Sequence, residues 1–351
     1  MHHYVAQLTL RGFANEKNQI TTVPLGGGEP YTQSVERTAA ENHYNTVRDK
    51  DGGTSDLAEK TIADHIEGPA AAPLKAIAAG DWIDDEELSA VALFLSLQHV
   101  RVPAQRASRD STADLLLKLQ MAADGPSGMR RILEAERGGP VVDRDVEAAW
   151  GELRDFDEWS IKLPREQHIK HTLELAVETA PIFEREYCWS VMRWERRHLL
   201  TSDLPVVLVP SPDAPSWRGV GLQNAGQIWF PVDRHTALIL TNRSLTSAEN
   251  GASLAGTAAV ARRVNSLVAS AAYRRVFHHP DDALADLVVK DFVLPEPREI
   301  THETDHTTFL MGRLRSMAEW HFKNPDQPHP MSRAALPSPP PPGARPWRPA
   351  S

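Results

Sequence analysis

The sequence predicts an α+β protein, a mainly helical body carrying a small antiparallel sheet. Three observations predict it. Apolar residues recur at helical spacing through much of 55–185 and again over 255–277. The period shortens to about two near Tyr187, where Tyr187, Trp189, Val191 and Arg193 alternate. Two apolar runs, Ile228-Trp229-Phe230 and Ala237–Thr241, flank a turn at Asp233-Arg234, as in a hairpin. Residues 187–241 are therefore the β-rich part.

Taken in order, residues 1–13 carry His, Tyr, Val, Leu and Phe, and read as a tucked-in segment with a helical turn over Gln7 to Phe13. Residues 20–35, with Pro24, Gly26, Gly27, Gly28 and Pro30, read as turns and loop. Leu57, Ile62, Ile66, Leu74 and Ile77 give a helix that Gly68-Pro69 should bend. Asp84 with Glu87 three residues on forms a capping box before a central apolar helix, which Pro103 ends or kinks. Further helices are expected over Ser111–Ala122, Val146–Phe156, Pro164–Arg185 and Thr257–Val276, with residues 123–145 as a connector. Pro205–Val209 is a short apolar run before the hairpin. The expected organisation is one globular domain, 1–325, and a proline-rich disordered tail, 326–351.

The chain has 351 residues, 41% hydrophobic and 24% charged, with a formal net charge of -9. That acidity disfavours a surface built to coat nucleic acid, which needs excess lysine and arginine. The basic stripe Arg262, Arg263, Arg274 and Arg275 is the local exception. The single cysteine, Cys188, allows no intramolecular disulfide and fits a reducing cytoplasm. It stands in an apolar run and reads as a core thiol. The N-terminus has no basic region ahead of an apolar run, so no signal peptide is expected. No apolar stretch reaches the roughly 20 residues of a membrane span, so no membrane contact is expected.

Several phrases resemble a bacterial family known only as uncharacterised, DUF4238. His2, His3, Tyr4, Val5, Gln7, Leu10, Arg11, Gly12 and Phe13 follow its opening HHYVPQFYLRGF, with Ala6 where the family has proline. Ala39, Ala40, Glu41 and Tyr44 follow an AAExxFY phrase. Glu59 and Glu67 match a glutamate pair, and Gln98, Arg101 and Pro103 a glutamine–arginine–proline phrase. Thr201, Ser202, Asp203 and Pro205 match T-S-D-x-P in full; Phe230-Pro231, Asn265 and Phe277 complete the order. The resemblance covers roughly 2–280 and implies no activity.

Three clusters are candidates for chemistry. In a strand, the rings of His2 and His3 point to opposite faces, and His3 lies nearer the apolar anchor. Glu59 and Glu67, eight apart, share a face of an unbroken helix, as do Gln98 and Arg101, three apart. Arg101 suits either a structural ion pair or a clamp on phosphate or carboxylate. Thr201, Ser202 and Asp203 suit either a turn or a set of catalytic and hydrogen-bonding groups. Combined, they suggest a metal-assisted hydrolase of a phosphate- or carboxylate-containing substrate. His3, Glu67, Asp203 and Ser202 would be catalytic. Arg101, Gln98, Thr201 and, through the resemblance, Asn265 would bind substrate. His3, Glu59, Glu67 and Asp203 would hold a divalent metal. His278-His279 and the pair His302 and His306 are further ligand candidates. The alternative is a non-enzymatic interaction or regulatory protein, immunity- or defence-associated, whose polar clusters only brace helices. Either way the expected partner is a small molecule or protein rather than nucleic acid.

Overall fold

The computed structural model describes residues 1–48, 53–215 and 217–327. Its elements are, in order, β1 (His2–His3), α1 (Gln7–Arg11), β2 (Gln19–Pro24), β3 (Tyr31–Ser34), β4 (Ala40–Glu41), β5 (Val47–Arg48), β6 (Thr54–Ser55), α2 (Leu57–Ile62), α3 (Gly68–Ala79), α4 (Asp85–Val100), α5 (Pro103–Arg137), α6 (Asp143–Leu153), α7 (Arg165–Arg185), β7 (Tyr187–Arg193), β8 (Thr201–Ser202), β9 (Val207–Pro210), β10 (Ala225–Pro231), β11 (Thr236–Asn242), β12 (Ala252–Ala255), α8 (Ala258–Ala271), β13 (Arg275–His278), α9 (Leu284–Leu287) and α10 (Asp305–Lys323). About 49% is helical and 16% is strand, an α+β fold. The proline-rich tail of the sequence reading lies, from residue 328 on, outside the described residues.

Within the stretch 1–325, two compact units are distinguished: residues 1–109 with 163–300, and residues 110–162 with the chain after 300. In the first unit, five strands form a sheet ordered β12-β7-β11-β10-β9. The hairpin β10–β11 pairs Trp229 with Ile239 and Phe230 with Leu238, as the alternation predicts. All its ladders are antiparallel except β12 on β7, which adds a parallel edge. Helix α4 is capped by Asp84, whose carboxylate accepts the Glu87 N–H at 2.9 Å while Glu87 accepts the Asp84 N–H at 3.1 Å. Its buried Val91, Ala92, Phe94, Leu95 and Leu97 encircle it, which makes it a central helix. Phe94 meets Phe230 of the sheet edge-on, ring centroids 6.1 Å apart. Small residues bring α4 and α7 together: Ser96 Oγ donates to the Ala176 carbonyl at 2.7 Å.

A second, four-stranded antiparallel sheet, β3-β2-β13-β8, was not read from the sequence. The β2–β3 hairpin occupies the stretch expected to be loop. Threonines interrupt the apolar positions Ile20 and Val23 of β2 and β3 has no aliphatic residue, and Thr21 and Thr32 bond across the pair at 2.9 Å. The glycines did mark the turn, since Gly26 and Gly27 take φ of 74° and 79°. Helix α8 ends at Ala271, short of the expected Val276, because Val276 and Phe277 join β13 between β2 and β8. An apolar run of this kind satisfies either period until its hydrogen-bond partners are known.

The N-terminal segment is held in this unit's core. Val5, Leu10 and Phe13 are fully buried and Tyr4 nearly so. Gly12 has an ordinary φ of -61°. Its requirement is proximity: a Cβ there would lie 2.5 Å from the Val232 carbonyl oxygen. The Arg234 N–H donates to the Gly12 carbonyl at 2.9 Å, tying the segment to the β10–β11 turn.

The second unit is helical, with a core of Ala122, Met129, Val146, Trp150, Phe156 and Met311. Helix α5 runs through the expected connector to Arg137, broken at Gly125 with φ 52°. The proline that follows disfavours helical backbone at Gly125, and a Cβ there would lie 2.5 Å from that of Ala318. Trp150 Nε1 donates to Glu319 at 2.8 Å. His302 precedes α10 and His306 lies within it, so these two ligand candidates do not share one helix.

Candidate functional site

The first cluster forms where the N-terminal segment meets α4. Strand β1 pairs with β4, His2 opposite Glu41 and His3 opposite Ala40. The two rings have separate partners. His2 Nδ1 accepts the Asn45 N–H at 2.9 Å, so Nε2 holds the proton, 3.2 Å from Asp56. His3 Nε2 lies 3.3 Å from the Val35 carbonyl and therefore donates, while Nδ1 accepts from Gln7 Nε2 at 3.4 Å. Burial holds His3 below the usual histidine value. The Val35 bond and the charges of Glu59 and Glu67 pull upward, and Arg101 adds to the lowering.

Glu59 and Glu67 stand on one helical run, with a π-helical turn over Ala63–Glu67 between α2 and α3, and the charges of both act on His3, but each carboxylate has its own partner. Glu59 accepts from Asn45 Nδ2 at 2.6 Å. Glu67 accepts from Arg101 Nη1 at 2.6 Å. Gln98 and Arg101 do converge, at the C-terminal end of α4. Gln98 is fully buried, and its Oε1 accepts the Ala6 N–H at 3.1 Å. The family's proline at that position would have no such donor, so Ala6 adds a bond here. Arg101 is 2% exposed, and its carbonyl accepts from the Tyr44 hydroxyl at 2.6 Å. Among the described residues, Gln98 Nε2 and Arg101 Nε and Nη2 have no acceptor, although all three are buried. Glu67, a quarter exposed, is the member of the group nearest solvent.

The second cluster is a bracket. Asp203 is 2% exposed and accepts three backbone N–H groups, Tyr273 at 2.8 Å, Arg274 at 2.8 Å and Arg275 at 3.1 Å. Burial pushes its carboxyl up to about 6, against these bonds. Ser202 Oγ accepts the Leu204 N–H at 3.1 Å and donates to the Leu204 carbonyl at 3.0 Å, shaping the turn after β8. Thr201 Oγ1 is buried without a partner among the described residues. Asn265 accepts the Leu200 N–H at 3.0 Å and donates to the carbonyls of His198, at 2.9 Å, and Leu287, at 2.8 Å. Asp203, Ser202 and Asn265 thus have backbone partners where the sequence suggested chemistry.

The expected quartet His3, Glu59, Glu67 and Asp203 is not a metal centre. Among the described residues no three His, Cys, Asp or Glu side chains are grouped to hold an ion. Glu59 answers Asn45, Glu67 answers Arg101 and Asp203 answers the 273–275 backbone. His278 and His279 lie in the fold, with His278 Nδ1 on the His279 carbonyl at 2.9 Å. The four stripe arginines do not form one surface. Arg262 and Arg263 line different cavities, and Arg274 packs over the Tyr273 ring. Cys188 is buried and its thiol donates to the Glu249 carbonyl at 3.1 Å.

A third grouping escaped the sequence reading. Asp282 accepts two bonds from Arg234, at 3.0 and 2.6 Å, and one from His198 Nδ1 at 2.6 Å. His198 packs edge-on against His235, ring centroids 4.9 Å apart. It borders a cavity of about 520 Å³. The only sequence signal was the basic run Arg196-Arg197-His198 just ahead of the T-S-D phrase.

With this geometry in hand, the comparisons with known proteins place the chain. The family model "Protein of unknown function (DUF4238)" matches residues 1–282, and the chain belongs to that family. The matched span holds all three groupings. No curated protein and no solved structure matches the chain. Among the described residues no helix is long and apolar enough to cross a membrane.

Proposed function

We propose that the chain binds a small phosphate- or carboxylate-bearing molecule at the His3–Glu67–Gln98–Arg101 cluster, in the cytoplasm. One observation carries this reading: three buried donors, Arg101 Nε and Nη2 and Gln98 Nε2, have no protein acceptor among the described residues. A buried donor without an acceptor costs about 1–3 kcal/mol, more when charged. A two-oxygen anion would answer a guanidinium edge in bidentate fashion. Glu67, on Nη1, leaves that edge free and keeps the arginine in place. Glu67 and Asp203 are engaged elsewhere, so the reading assigns them no metal.

Calorimetric titration with inorganic phosphate and with acetate tests it. Saturable binding of either is expected, and the tighter of the two identifies the ligand class. Arg101→Lys keeps the charge but loses the fork. Gln98→Glu keeps an acceptor for Ala6 and replaces the free donor by a repelling carboxylate. Each is expected to weaken binding by at least about tenfold, or ~1.4 kcal/mol. No saturable binding, or variants that bind like the wild type, would overturn the proposal. A second reading, a non-enzymatic interaction or regulatory module, is favoured by the backbone-saturated Asp203, Ser202 and Asn265. It becomes the first choice if the anions do not bind.

A further inference from the structure

The cavity bordered by His198 lies apart from the proposed anion cluster in sequence and in its lining. Arg196, Arg197, Arg262 and Lys290 line it, and among the described residues none of these four side chains has an acidic partner or a hydrogen-bond acceptor. The carboxylates facing it are differently placed. Asp282 is held by Arg234 and His198, and Asp281 lies 3.6 Å from His279. Asp286, on α9, is the third. Arg196, Arg197 and Lys290 are exposed and Arg262 is half-buried, so on a chain of net charge -9 four cations without partners gather at one concavity, where their field draws anions.

The histidine beneath them is oriented. Burial alone would raise Asp282, but the bonds and charges of Arg234 and His198 outweigh it and hold the carboxyl below its usual value. An ionised carboxylate only accepts, so the proton between Asp282 and His198 belongs to Nδ1. Nε2 is then the free nitrogen of the ring. The edge contact with His235 limits ring rotation, and His235 is itself fixed by Nδ1 on the Trp194 carbonyl at 3.1 Å. The Asp282 side chain is 7% exposed and that of His198 30%, so the support is buried while the imidazole reaches the cavity.

We propose that this cavity binds an organic phosphate, with Arg196, Arg197, Arg262 and Lys290 around the phosphate oxygens and His198, protonated on both nitrogens in the complex, donating its Nε2–H to one of them. The volume, about 520 Å³, falls in the usual range for small-molecule sites, roughly 300–1,000 Å³, and leaves room beyond a bare phosphate. The organic part would rest against Ala261, Ala283, Leu287 and Val288 on the same wall.

Calorimetry of the full chain at low ionic strength, with inorganic pyrophosphate and then ADP as probes, tests this. Saturable binding is expected for both, including one equivalent that depends on Arg262 and Lys290. Tighter ADP binding points to a nucleoside phosphate, and equal or weaker ADP binding to another organic phosphate. The double variant Arg262→Ala/Lys290→Ala changes two side chains at the cavity surface and is expected to weaken pyrophosphate by at least about tenfold. His198→Gln should do the same. In the Arg101→Lys background, where the first cluster is impaired, pyrophosphate should still bind, and the Arg262→Ala/Lys290→Ala change should weaken it there as in the wild type, which separates this site from the first cluster. Absence of saturable binding, full affinity in the double variant, loss of binding in Arg101→Lys, or a short oligonucleotide outcompeting ADP would each overturn the proposal.

Discussion

A chain lacking residues 1–13 is expected not to fold cooperatively: it should show no sigmoidal urea transition, whereas the full chain should. The deletion removes Val5, Leu10 and Phe13, all fully buried, and Tyr4, nearly so. Removing one large buried side chain costs about 2–5 kcal/mol, partly through the cavity left behind. Three or four such losses, about 6–20 kcal/mol together, match or exceed the roughly 5–15 kcal/mol that holds a typical domain together. The deletion also strips His2 from Asn45, His3 from Val35 and Ala6 from Gln98, leaving buried polar atoms without partners. The milder double variant Leu10→Ala/Phe13→Ala keeps these bonds and should lower stability by about 4–10 kcal/mol on the same scale. An unchanged urea midpoint in the truncated chain would remove the segment from the core.

Asp203→Ala is expected to destabilise the fold by about 3–5 kcal/mol. The substitution leaves three N–H groups, those of Tyr273, Arg274 and Arg275, without their acceptor, at about 1–3 kcal/mol for each buried group that water does not reach. Water entering the emptied space is the reason the expected total is below the maximum sum. Asp203→Asn keeps one acceptor oxygen and turns an amide group toward the remaining donors, so its loss should be intermediate. Urea midpoints of the three proteins check the order. A catalytic or ligand-binding aspartate with no structural duty would give three equal midpoints. That outcome would return Asp203 to the chemistry the sequence suggested.

The sequence showed features governed by local rules. The Asp84–Glu87 capping box, the central position of α4 and the β10–β11 hairpin depend on residues a few positions apart. The burial of the N-terminal segment was legible because Leu10 and Phe13 are expensive to leave in water. The β2–β3 hairpin was hidden because threonine-rich strands carry a weak apolar alternation and the glycines drew attention to the turn. Strand β13 was hidden because Val276 and Phe277 prolong the helical spacing of α8, and only pairing with β2 and β8 decides against it. In the site, Gln98 and Arg101 were legible from their spacing on one helix. The π-helical turn between Glu59 and Glu67 was not, because such a turn has no reliable sequence signature. The Asp282 pairing with His198 and Arg234 joins residues 84 and 48 positions apart, and only the folded chain brings them together.

The central claim is that the free edge of the Arg101 guanidinium receives an anion. Its most direct test is the Nε–H resonance of that side chain in a nitrogen-15 correlation spectrum, assigned by its disappearance in Arg101→Lys. On titration with phosphate or acetate, this resonance is expected to move and saturate, together with the side-chain amide of Gln98. The Gln98→Glu variant should need at least about tenfold more anion to reach the same shift. An Arg101 Nε–H signal that stays in place with both anions, while other amides respond or none do, would contradict the claim and leave Arg101 as a structural partner of Glu67.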